Sequence, residues 1–274
     1  MAFLAMGDAA IKVLSGSLSQ SVILIVIGIG LFSVFFTISF WTKDQIFDRR
    51  ALYGFALLRS VAEVSAAFFM VLALSTVPFT ILTLIMQSMP LIVTLGAVLF
   101  FGEQVGWRRW IAIGIGFIGV IVILRPGTES FSAEWLFAVI AAIALSFRDL
   151  ASRAVPKSVS TLQISCWGGG AVFLAGLCLQ VYSDESIPTF DLTEAWLLFF
   201  VTLCWASGVF AVSLAMRIGE LSLVAPFRYT RIPFGLLIGV LFFAESVDMT
   251  MLTGAAIIVL SGLYVFSREQ KGKH

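Results

Sequence analysis

Apolar runs of about 20 residues follow one another along this chain with only short polar gaps, and a helical run of that length matches the hydrocarbon thickness of a bilayer. Hydrophobic residues make up 60% of the sequence and charged residues only 12%. A soluble fold of 274 residues cannot hide so much apolar surface, because its outside still has to face water. The sequence therefore specifies an all-α, polytopic membrane protein.

Ten spans are expected, at 1–15, 21–41, 51–74, 78–101, 107–124, 133–154, 160–182, 192–216, 221–243 and 249–267. Pro78, Pro126, Pro156 and Pro188 fall in the gaps, where a missing N–H costs nothing. Trp41, Trp107, Trp135 and Trp196 sit near span ends, where indole favours the membrane interface. The first span is short and carries Asp8 and Lys12 without a basic flank, so it reads as a membrane helix rather than a cleavable leader, with a start further upstream left open. Cys166, Cys178 and Cys204 lie inside apolar runs and are expected to be buried free thiols.

Lys and Arg set the orientation. With the N-terminus inside, the inner loops and tail carry Lys43, Arg49, Arg50, Arg108, Arg109, Arg153, Lys157, Arg217, Arg268, Lys271 and Lys273, and the outer loops only Arg125. Eleven against one is a strong positive-inside bias, placing both termini in the cytoplasm. The outer loop 183–191 holds acids and no base.

The chain also repeats itself. Leu99-Phe100-Phe101-Gly102-Glu103 matches Leu241-Phe242-Phe243-Ala244-Glu245 at an offset of 142, and Ala73-Leu74 falls on Ala215-Met216. At an offset of 141, Asp8 and Lys12 fall on Asp149 and Arg153. Five spans per copy is an odd number, so the two copies must insert with opposite orientation, as in secondary transporters.

Phe100 to Trp110, running through Gly114, Gly116 and Gly119 to Leu124-Arg125-Pro126-Gly127, resembles the end of an EamA-type repeat. A second copy resembles it through Ala225 to Tyr229, Phe243-Ala244-Glu245 and Gly262 to Glu269. The chain is thus identified as a member of the drug/metabolite transporter superfamily. The resemblance implies ten transmembrane helices in two inverted five-helix repeats, 1–127 and 128–274, in a bacterial-type inner membrane. It implies transport of an amino acid, vitamin, nucleotide-like compound or drug. The short first helix depart from the pattern, as does Asp248-Met249-Thr250, which stands where the first copy has Gly106-Trp107-Arg108.

Charges within the spans are costly and normally turn inward toward a partner or water. The embedded set is Asp8, Lys12, Arg59, Glu63, Arg148, Asp149, Arg228 and Arg231, five positive and three negative. Asp8 with Lys12, Arg59 with Glu63, and Asp149 with Arg153 share helix faces at i,i+4 and can neutralise each other. Arg148 lies near a span end and can snorkel. Arg228 and Arg231 stand one turn apart with no acid on their own face, between Pro226 and Pro233 and beside Tyr229. Planar guanidinium groups among rings suit a carboxylate-bearing or zwitterionic solute. The alternative is that they tie to Glu63 or Asp8 across the bundle. Gln87, with Thr83, Ser88, Pro90 and Thr94, gives the fourth span a polar stripe. The expected substrate residues are Arg228, Arg231, Tyr229 and Gln87. Glu63, Asp8, Arg59 and Lys12 are left for coupling or ion pairing.

The sequence holds no phosphate-binding Gly-x-x-x-x-Gly-Lys-Ser/Thr loop and no His-Glu-x-x-His. Its only histidine is His274. No catalytic set, metal site or cofactor is expected, and the net charge of +1 gives no footing for nucleic acid. A non-transporting scaffold that binds a partner chain remains the second reading, with an ion channel the third; the oligomeric state is open.

Overall fold

The structure, a computed structural model, describes residues 1–102, 106–128, 131–183, 190–218 and 227–271. The described chain is helical, with α1 Ala2–Leu14, α2 Gln20–Thr42, α3 Phe55–Thr76, α4 Phe79–Met86, α5 Met89–Phe101 and α6 Trp107–Leu124. It continues through α7 Trp135–Ala154, α8 Thr161–Ser183, α9 Leu192–Ile218, α10 Arg231–Phe243 and α11 Met249–Lys271. Among the described residues, eight stretches are long and apolar enough to cross a membrane, α4 and α5 counting as one stretch. The outside of the bundle is apolar, with Ile29, Phe40, Phe100, Ile118, Leu203, Phe242 and Leu260 exposed, as a lipid-facing surface requires.

Local chemistry sets the ends. Asp191 and Glu194 cap α9 reciprocally, Glu194 N–H donating to Asp191 Oδ1 at 2.6 Å and Asp191 N–H to Glu194 Oε2 at 3.1 Å. Ser160 and Gln163 do the same for α8. α5 stops at Gly102, whose φ of +65° takes the left-handed conformation of a helix C-terminus.

Two expected spans are not single helices. The 78–101 segment breaks at Gln87–Ser88, where both amides bond three residues back, to Leu84 and Ile85. Pro90 accounts for this, since it has no N–H for the Met86 carbonyl. The 221–243 segment is described only from Phe227. There a turn at Tyr229–Thr230 precedes α10, and Pro233 lies in its first turn. Arg228 therefore stands before the break and Arg231 after it, rather than one turn apart on one helix. The third span starts later than expected, at Phe55, after a 3-10 turn at Arg49–Leu52.

α2 packs along α8, α3 against α7, α1 against α9, α6 against α11 and α4 against α10. Close approach at the α2–α8 crossing depends on Gly28 and Gly169: a Cβ on either would meet the backbone of Phe173 or of Phe32. Cys166 and Cys204 are buried free thiols as expected, but Cys178 is exposed, on the side of α8 turned away from the core. Trp41, Trp107 and Trp196 are exposed at helix ends, whereas Trp135 is buried.

Candidate functional site

The broken segments and their neighbours enclose a cavity of about 90 Å³ open to water-sized molecules. Its polar lining includes Asp8, Glu63, Gln87, Arg148, Arg228 and Arg231. The rest is mostly apolar, with Phe35, Trp205 and the methionines Met70, Met86 and Met89. The lining comes from the start of α1, the second half of α2, the middle of α3, the second halves of α7 and α9 and the first half of α8. The cavity thus lies toward one face of the bundle, the one bearing Met1.

Helical periodicity delivers the charges inward. Glu63 of α3 takes an ion-pair contact from Arg59 at 3.2 Å, as its i,i+4 spacing predicts. Arg59 is fully buried; its Nε donates to Ser152 Oγ at 3.1 Å and its guanidinium lies beside Gly168. Glu63 also accepts from Arg148 Nη1 at 3.2 Å, across from α7. Arg148 does not snorkel: it is buried, and its Nε and Nη2 both reach Asp149 Oδ1, at 3.1 and 2.9 Å. The other oxygen of Asp149 accepts from Arg228. Arg59, Glu63, Arg148, Asp149 and Arg228 form one chain of alternating charge through the bundle.

A second tie runs from Arg231 to Asp8 Oδ2. The other Asp8 oxygen accepts from Trp205 Nε1 at 3.0 Å. The expected Asp8–Lys12 pair is not made. Lys12 instead donates to the carbonyls of Val77, at 2.6 Å, and Leu74, at 3.3 Å. Nor does Asp149 bond Arg153, whose guanidinium lies 6.0 Å from the centre of the Phe101 ring. Arg231 makes the cross-bundle tie to Asp8 that was the alternative, whereas Arg228 pairs with Asp149 rather than with Glu63 or Asp8, so neither guanidinium is unpaired. Neither arginine has an acid within one turn on its own segment, so the carboxylates available to them come from α1 and α7.

Gln87 sits at the α4–α5 break, buried, its amide nitrogen donating to the Thr83 carbonyl at 3.1 Å. Tyr229 is buried but not among the cavity-lining residues; its hydroxyl packs where a Gly262 side chain would stand on α11. Sequence reasoning missed Trp205, an indole within an apolar run that carries no signal of its partner. It also listed Asp149 without foreseeing that it bridges two arginines.

These two ties have distinct capacities. Arg59, Glu63, Arg148 and Asp149 are tied to one another by ion pairs, although both Nη atoms of Arg59 and Oε2 of Glu63 lack a hydrogen-bond partner. Arg228 and Arg231 face the cavity and hold one carboxylate each. A carboxylate entering the cavity would compete with Asp8 or Asp149 for these guanidinium groups.

Residues 1–125 match the model of the EamA-like transporter family. The chain is 28% identical over 202 residues to the "S-adenosylmethionine uptake transporter" of Rickettsia bellii, covering 72% of this chain and 67% of that protein. It is 27% identical over 209 residues to the "Riboflavin transporter" of Rhizobium johnstonii, covering 73% of this chain and 66% of that one. The chain therefore spans about two thirds of the length of these relatives. A crystal structure of a protein 16% identical in sequence superposes with a TM-score of 0.67 over 97% of this chain and 94% of the other, which establishes a shared fold.

Proposed function

We infer that this chain, an EamA-type member of the drug/metabolite transporter superfamily, is a secondary carrier that moves a small organic metabolite through the membrane by alternating access. The observation that carries the reading is the cavity itself: two helix breaks, at Gln87–Ser88 and Tyr229–Thr230, open onto a space lined by five ionisable side chains drawn from both halves of the chain. Interrupted helices meeting at such a site are how membrane carriers expose backbone and charge to a solute without exposing them to lipid.

The pairing of helices supports the two inverted repeats, 1–127 and 128–274. Exchanging the halves carries the α3–α7 contact onto α9–α1 and leaves the α2–α8 and α6–α11 contacts on themselves. The solute site in this reading consists of Arg228 and Arg231, with Gln87 across from them. Tyr229 anchors the break against α11 rather than touching the solute. The cavity-lining charges are three arginines against two acids, net +1, which favours an anionic or zwitterionic solute over a bare cation. Both termini lie in the cytoplasm of a bacterial-type inner membrane on the positive-inside count.

Uptake and counterflow into proteoliposomes reconstituted with the purified chain test this. The panel runs over S-adenosylmethionine, riboflavin, amino acids and nucleotide-like compounds. Saturable flux of at least one, lost in the Arg228→Ala protein, supports a carrier. A protein that moves none of them and copurifies with a partner chain supports the scaffold reading instead.

A further inference from the structure

The turn between α3 and α4 is held from both sides by opposite charges. Lys12, from the end of α1, donates to the Val77 carbonyl at 2.6 Å and to the Leu74 carbonyl at 3.3 Å, the last acceptors of α3. Glu245, just past the end of α10, accepts from the Phe79 N–H at 2.6 Å and the Thr80 N–H at 2.7 Å, the first donors of α4. A cation on helix C-terminal carbonyls and an anion on helix N-terminal amides are the favoured senses. The two clamps touch: Lys12 Nζ lies 5.6 Å from the centre of the Phe243 ring, and Phe243 packs on Phe79 with centroids 5.5 Å apart.

This cluster closes the end of the bundle opposite the cavity. Every cavity-lining residue of α1 precedes Ala9, while Ile11, Leu14, Leu74, Val77 and Phe79 beyond them are packed at 0–1% exposure. Its contacts join α1, α3 and α4 to α10 and the segment after it, that is, the first half of the chain to the second. They differ from the buried Arg59–Glu63–Arg148 chain in one respect that matters. Lys12 and Glu245 stand at helix ends and are only partly buried, so water can satisfy both when they let go. One contact of this cluster has a counterpart at the other end, where Arg153 lies over Phe101, the residues matching Lys12 and Phe243 at offsets of 141 and 142.

We propose that Lys12, Glu245 and the Phe79–Phe243 ring pair are a gate, closed in this structure, and that Lys12 is its latch. The proposal rests on the carrier reading above, because alternating access requires this end to open in turn. The halves then part at the α3–α4 turn: Lys12 leaves the α3 carbonyls, Glu245 leaves the α4 amides, and the two rings separate.

The test needs no solute. In protein freed of Cys166, Cys178 and Cys204, Met70→Cys reports access to the cavity. A membrane-impermeant methanethiosulfonate is applied to each face in right-side-out and inverted vesicles, and modification of residue 70 is read by mass spectrometry. The parent is expected to react chiefly from the Met1 face. Lys12→Ala should raise reaction from the Lys12 face about tenfold, equivalent to about 1.4 kcal/mol. Glu245→Gln, which keeps side-chain volume, should act in the same direction should Lys12→Ala prove poorly folded. Cross-linking Phe79→Cys to Phe243→Cys should return that reaction to the parent rate, leave the Met1 face unaffected, and be undone by reductant. Parent-rate labelling in both the Lys12 and Glu245 variants, with no effect of the cross-link, overturns the gate and leaves a static clamp. Failure to find flux in the solute panel leaves this result unchanged, so the two readings fail separately.

Discussion

A guanidinium inside a bilayer requires an anion, and Asp149 serves two of them at once, Arg148 and Arg228. Removing one partner of a buried pair leaves uncompensated charge. Asp149→Ala is therefore expected to destabilise the bundle by about 3–5 kcal/mol, seen as a lowered thermal midpoint in detergent. Arg228 occupies a different position, since it faces the cavity. Arg228→Lys keeps the charge but loses the planar fork, so flux should fall while the protein remains inserted and monodisperse. A flux equal to that of the parent would remove Arg228 from the site. At the bundle's end, Arg125 bonds Asp248 and holds that carboxyl below the usual carboxylate range. A lowered carboxyl stabilises above its unfolded value and loses that contribution only as the pH falls through the folded one. The Arg125–Asp248 tie is thus intact across about pH 5–8, and Asp248→Asn should not alter how transport depends on pH in that window. Any proton coupling is expected to pass through Asp8 or Glu63; equal pH responses in Asp8→Asn and Glu63→Gln would refute that.

At the scale of helices, the two breaks matter more than the lengths. Pro90→Ala restores an N–H that can reach the Met86 carbonyl, so α4 and α5 should merge. The expected result is a more heat-resistant protein with slower flux, and unchanged flux would show that the break is incidental. How far this was legible in the sequence follows from range. The apolar runs fixed the helices because each helix satisfies its own backbone, and Arg59–Glu63 was readable because its geometry is local. Pro90 was read only as part of a polar stripe and Pro233 only as a flank of the arginine pair, so both spans were expected whole and Arg228 and Arg231 were not expected to fall on opposite sides of a break. Asp8 with Arg231 is separated by 223 residues, and no local spacing encodes it. Glu245 stood out only as a repeat motif, because its acceptors are amides, which every residue but proline carries.

For the whole molecule, the basic-residue count predicts that an impermeant thiol reagent outside intact cells labels Asp191→Cys and spares Asp48→Cys. The reverse would invert the topology. The central claim is that a solute exchanges into a cavity shared by two halves of one chain. Counterflow in proteoliposomes preloaded with a panel solute tests it most directly. The account predicts saturable exchange with the parent protein and none with Arg228→Ala that is folded and inserted to the same degree. Exchange at the parent rate in that variant would contradict it.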